Sequence, residues 1–170
     1  MAPDANPGDP GPDDPDDVVA LARYATALAD GIEAALPGWV ERRVERLLVA
    51  YRGNVEPAER SAAAQAGLAA RDDIGPRVRA LLAVDIDEQR SGPLAVVRGA
   101  VAYPTAVLHA AGVPPVIRDD FAERQFPDDV YDLTPASFGD LDPSIGELGL
   151  TWGAAKAHVH MTRRRREGQR

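Results

Sequence analysis

Apolar residues recur every three or four positions over most of this chain, which is the spacing of one face of an α-helix. The pattern starts near Asp16, and the carboxylate of Asp16 or Asp17 is placed to cap the first turn. Four helices are predicted before residue 87, because three interruptions of the pattern contain residues that end helices. Those interruptions are Pro37-Gly38, Gly53 and Gly75-Pro76. The third helix is predicted to start at Glu56-Pro57.

A fifth helix is predicted from Ser91 to Gly112, with Pro104 inside it. Proline has no N–H to donate to the carbonyl of Ala100, so we expect Pro104 to kink this helix or split it in two.

The remainder predicts a short helix over 115–125, one helical turn near residues 134–138 and a last helix from about Leu150 to Arg166. No alternating strand pattern is present. The predicted fold class is therefore all-α, a single helical bundle of about six or seven helices.

Composition divides the chain into three parts. Residues 1–17 hold five Pro, two Gly and six Asp, which predicts a disordered acidic tail because such a segment buries too little apolar surface to offset its ordering entropy. Residues 18–166 form the predicted helical domain, and residues 167–170 a flexible C-terminus.

Net charge is −8, which opposes general attraction to nucleic acid. No Cys is present, so disulfides and thiolate chemistry are excluded. The most apolar stretch, residues 93–116, is broken by charge, Pro and Gly and does not predict a membrane span. We expect a cytoplasmic protein with no membrane contact.

Candidate chemistry is sparse, and the chain leans away from being an enzyme. His158 and His160 would point about 200° apart on a helix and could not share one metal ion there. His109 is expected to be buried and hydrogen-bonded near the kink. The acids after residue 126 lack calcium-loop spacing and are better explained as turn and capping residues. No serine-nucleophile or phosphate-loop motif occurs, so we predict no metal, cofactor or catalytic residue.

Charge in the last quarter is sorted by sign. Residues 126–147 contain six acidic residues and no basic one, whereas residues 156–170 contain six basic residues and one acidic one. The two blocks either pair within the chain or leave one block for a partner.

The leading hypothesis is a non-enzymatic interaction protein, an adaptor or regulator that binds another protein through the last helix. Trp and Arg are favoured anchors of protein interfaces. The predicted partner-binding residues are Trp152, Lys156, His160, Arg163, Arg164, Arg165 and Arg166. A homo-oligomer also stays open.

Two other functions stay open. One is an enzyme or small-molecule-binding bundle with a pocket near the Pro104 kink. Its lining would come from Tyr103, His109, Trp152, and Asp119 or Asp129. The other is a nucleic-acid accessory factor that uses the Arg163–Arg166 run, although no aromatic residue follows Trp152 to stack on bases.

Four segments of residues 93–166 resemble a family of small uncharacterised actinobacterial proteins. They are residues 97–105 (VRGAVAYPT), 111–121 (AGVPPVIRDDF), 126–138 (FPDDVYDLTPASF) and 152–160 (WGAAKAHVH). The resemblance implies an actinobacterial, cytoplasmic origin and carries no activity, cofactor or site residue.

Overall fold

The computed structural model describes residues 15–84, 93–114 and 138–168, and 89% of these residues are helical, with no strand among them. Helix α1 spans Pro15–Arg52 and α2 spans Pro57–Ala83. Helix α3, Pro93–Arg98, passes through a 3₁₀ turn at Gly99–Val101 into α4, Ala102–Ala110. Helix α5 spans Pro143–Glu167. The all-α prediction is confirmed.

The number of helices was predicted too high for this part of the chain. With α3 and α4 taken as one interrupted helix, the described residues hold four helices rather than six or seven. The predicted number was too high because Pro37-Gly38 and Gly75-Pro76 do not end helices. Helix α1 continues through the first pair and α2 through the second. The expected helix over 115–125 and most of the turn over 134–138 lie outside the described residues.

Close packing between α1 and α2 keeps the chain helical at Pro37-Gly38 and at Gly75-Pro76. A Cβ added at Gly67 would lie 2.8 Å from the backbone Cα and O of Pro37, so the two backbones touch at this crossing. Gly75 in turn lies against the side chain of Glu33. The glycines that weaken α2 as an isolated helix thus allow an approach that other residues would block.

The predicted start of α2, the predicted end of α1 and the predicted division at Pro104 are confirmed. Glu56 caps α2 and forms a capping box with Glu59, with Pro57 in the first turn. Gly53 ends α1 at a φ of 84°, a conformation that favours glycine. The 3₁₀ turn comes just before Pro104, so this helix is split as expected. Helix α1 begins at Pro15, three residues inside the predicted tail.

The core has two parts along α1. Residues Val40, Val44 and Leu48 pack with the first half of α2 and with α4. Residues 25–36 of α1 form the second part, with the end of α2, α3 and α5. Arg79 of α2 donates to Glu33 Oε1 at 3.0 Å and to Asp30 Oδ1 at 2.7 Å, which joins α2 to α1 at the rim.

Candidate functional site

Helix α5 carries every predicted partner-binding residue, and it begins seven residues earlier than expected, at Pro143. Asp142 is its N-cap: the backbone N–H of Ser144 donates to Asp142 Oδ1 at 2.9 Å. The pKa of Asp142 is lowered, first by the side-chain hydrogen bond from Ser144 and then by this backbone bond. The expectation that acids in this segment cap helices is confirmed at Asp142.

The inward face of α5 packs on α1. A Cβ added at Gly31 of α1 would lie 3.5 Å from Cγ1 of Ile145, so small residues on α1 make room for α5. A Cβ at Gly149 would lie 2.6 Å from Cδ2 of Phe138, which is fully buried. Arg42 of α1 adds a polar tie by donating to the carbonyl of Leu141 at 3.2 Å.

Trp152 and Lys156 lie in this interior rather than on the surface. Trp152 is 2% exposed and Lys156 is 3% exposed. The ammonium nitrogen of Lys156 lies 4.2 Å from the centroid of the Trp152 ring, a cation–π contact. Burial lowers the pKa of Lys156 to about 8. Within the described residues the indole Nε1 of Trp152 is buried without a hydrogen-bond partner.

The other predicted partner-binding residues are more accessible. Arg164 and Arg165 are exposed, whereas His160 and Arg166 are half-buried. The side chain of Arg163 lies outside the described part. Whether any of these residues binds a partner stays a prediction, but burial removes Trp152 and Lys156 from the exposed contact surface.

The outward face of α5 is a feature that the sequence analysis missed. Six positions spaced alternately by three and four residues are all exposed. We call them the outward seam: Glu147, Leu150, Ala154, Ala157, Met161 and Arg164. Leu150 and Met161 are each 55% exposed, which is high for large apolar side chains. The seam is apolar in the middle, acidic at its start and basic at its end.

A sequence signal for the outward seam existed. The alternation of three and four is the heptad spacing of helices that pack along their length. Because the last helix is predicted to start at Leu150, Glu147 falls outside that predicted helix and the seam loses its acidic end. Its two alanines also gave no strong apolar signal.

The alternative pocket is not assembled by the described residues. Tyr103 donates its hydroxyl to Asp73 Oδ2 at 2.8 Å, and this hydrogen bond raises the pKa of Tyr103. His109 is exposed, so the expectation that it is buried at the kink is wrong: it lies near the end of α4, where one side faces outward. Asp119 and Asp129 lie outside the described residues.

The described ranges contain neither a cluster of metal-ligating side chains nor a helix that could span a membrane. No group of three His, Asp or Glu side chains there is arranged to hold a metal ion. Among the helices described, even the long α1 lacks an apolar stretch sufficient to cross a bilayer.

Comparisons with protein-family models, curated proteins and solved structures find no match to this chain.

Proposed function

We propose that this chain is a non-enzymatic α-helical interaction protein, an adaptor or regulator that binds another protein chain through the outward seam of α5. The observation that carries the proposal is the unbroken exposure of six heptad-spaced positions, with Leu150 and Met161 more than half exposed among them. The cytoplasm stays our predicted location.

The seam has the chemistry of a surface that takes a helix. Apolar side chains at alternating spacings of three and four lie along one line of a helix, and a second helix covers such a line. Ala154 and Ala157 at its centre carry only methyl groups, so the backbone of a partner helix can approach closely there. Covering Leu150 and Met161 removes apolar surface from water, which favours association.

The charged ends of the seam specify the partner further. Within the described residues, neither the carboxylate of Glu147 nor the guanidinium of Arg164 has a hydrogen bond or ion pair. A partner helix should therefore present a carboxylate to Arg164 and a cation to Glu147, with apolar side chains between them. Such end charges fix register and direction more than affinity.

The two competing functions have weaker support. A catalytic pocket at the kink would need His109 enclosed beside a carboxylate, whereas His109 is exposed. Nucleic-acid binding rests on the arginine run, which also has a structural explanation because cations at a helix C-terminus offset the negative end of its dipole.

The proposal is tested by reversing the polarity of the seam. We expect the double variant Leu150→Glu/Met161→Glu to lose an identified partner that the wild-type chain purifies from its host, with at least about a tenfold rise in Kd when that partner is purified and remeasured. Thermal melting should stay close to wild type, because both positions are exposed.

A matched control places the same charges elsewhere. Val49→Glu/Leu68→Glu changes two exposed apolar residues of α1 and α2 and should keep the partner. Equal retention of the same partners by both double variants would contradict the proposal.

A further inference from the structure

Helix α5 itself meets the requirements that its outward seam sets for a partner. The order of residue types along the seam is symmetric about its centre. A charged residue stands at each end, a large apolar residue comes next on each side, and two alanines lie in the middle; the two end charges are of opposite sign. We infer that the helix covering the outward seam is α5 of a second copy of this chain, paired antiparallel about a two-fold axis. The inference rests on the proposed function and names the partner for the same surface.

The pairing follows from the positions alone. With the two-fold axis midway between residues 155 and 156, Ala154 lies opposite Ala157 of the second copy. Leu150 then lies opposite Met161 of the second copy, and Glu147 opposite its Arg164. Every contact occurs twice, as an interface between identical surfaces requires. No other axis position brings both large apolar residues and both charges into register.

The centre and flanks of the pair are sterically and electrostatically compatible. The alanine layers let the helix backbones come close, and a Leu–Met layer covers each side of them. On the flank next to the seam, exposed Thr151 lies nearest to His158 of the second copy and exposed Arg165 lies nearest to its Ser144, each pair offset by two residues, about 3 Å, along the helix axis. No like charges are opposed at these positions.

Direction is set by the charged ends. In a parallel pair, Glu147 would meet Glu147 and Arg164 would meet Arg164, whereas the antiparallel pair joins opposite charges at both ends. The seam from Glu147 to Arg164 is about 26 Å long at 1.5 Å per residue, so the interface falls at the small end of specific interfaces. We therefore expect a weak dimer whose Kd is on the order of micromolar.

The experiment is sedimentation equilibrium on the full chain and on charge-reversed variants. The wild-type chain should shift from monomer to dimer as its concentration rises. Glu147→Arg and Arg164→Glu each place like charges at both ends of the seam, and each should weaken the dimer about tenfold. An equimolar mixture of the two variants should dimerise like wild type, because each end then joins opposite charges again.

The matched control is Glu45→Arg, which makes the same change at an exposed position of α1 and should leave the dimer intact. Circular dichroism should show equal helicity for all variants. A monomer mass up to about 1 mM chain would overturn the inference, and so would a variant mixture that stays as weak as its components.

The outcome also separates this inference from the proposed function. If the wild-type chain is monomeric but Leu150→Glu/Met161→Glu still loses its purified partner, the second copy is the wrong occupant and the seam remains a binding surface. If the same double variant changes neither self-association nor partner binding, both proposals fail.

Discussion

The two faces of α5 differ in what they contact: the inward face packs against the rest of the protein, and the outward face is exposed to solvent. Its inward face buries Ile145 and Trp152, packs Gly149 against Phe138 and holds the cation of Lys156 over an indole ring. Its outward face keeps Leu150 and Met161 more than half exposed, with unpaired charges at both ends within the described residues. Stability therefore depends on the inward face, while we propose that the outward one recognises another chain.

The largest expected contrast comes from truncating one apolar residue on each face. Trp152→Ala should lower the free energy of unfolding by about 3–5 kcal/mol, since it leaves a large cavity in the interior. Leu150→Ala should change it by no more than about 0.5 kcal/mol. Trp152→Phe should recover much of the loss, because the buried indole N–H has no hydrogen-bond partner in the described residues. Urea unfolding measures all three, and equal losses at positions 150 and 152 would refute the division of faces.

A smaller contrast is expected from adding one methyl group. Gly149→Ala puts a Cβ 2.6 Å from the Phe138 ring, so one of the two must move, at a cost of about 1–3 kcal/mol. Gly139→Ala is the matched control, since nothing lies within 4 Å of its added Cβ. Thermal melts should show a lower Tm for the first variant only. An unchanged Tm for Gly149→Ala would mean that α5 packs on Phe138 less tightly than described.

The smallest expected effect is the pH dependence from Lys156. Burial lowers the pKa of Lys156 from 10.5 to about 8, so between these values the unfolded chain binds more protons at this residue than the folded chain does. Its contribution to the free energy of unfolding should therefore rise with pH across this window, by about 1–2 kcal/mol after allowance for the contact with Trp152 that favours the charged form.

Lys156→Met isolates this effect. Methionine fills a similar volume but does not titrate. The free energy of unfolding of the wild type should therefore rise relative to that of the variant from pH 8 to pH 10. Chemical unfolding at several pH values gives both curves. A constant difference would show that Lys156 titrates alike in both states.

Sequence patterns predicted the helical class, the end of α1 at Gly53, the start of α2 at Glu56–Pro57 and the division at Pro104. Gly53 and the Glu56–Pro57 start are local features that need no tertiary information. The continuation of α1 through Pro37 could not be predicted, because it depends on Gly67, which is thirty residues away in the sequence and packs against Pro37. Local propensity favours a helix end at Pro37-Gly38, but tertiary packing determines the structure there and α1 continues.

The candidate site was predicted only in part. That the last helix is the interaction element stays a prediction, and its arginines Arg164 and Arg165 are exposed. Trp152 and Lys156 were assigned to the binding surface because Trp and a cation are common in interfaces, yet the same two residues are suited to a buried cation–π contact. Only the rotation of α5 on α1 separates these alternatives, and residue types alone do not give that rotation.

The central claim, that the outward seam meets its antiparallel counterpart, is tested most directly by disulfide trapping. The chain has no Cys, so Glu147→Cys and Arg164→Cys each introduce a single thiol. In the antiparallel pair, residue 147 lies beside residue 164 of the second copy, while the two copies of residue 147 are about 26 Å apart. Mild oxidation of an equimolar mixture should give a covalent dimer of one variant with the other, and neither variant alone should cross-link at the same rate. Equal cross-linking of each variant with itself, or none in the mixture, would contradict the account.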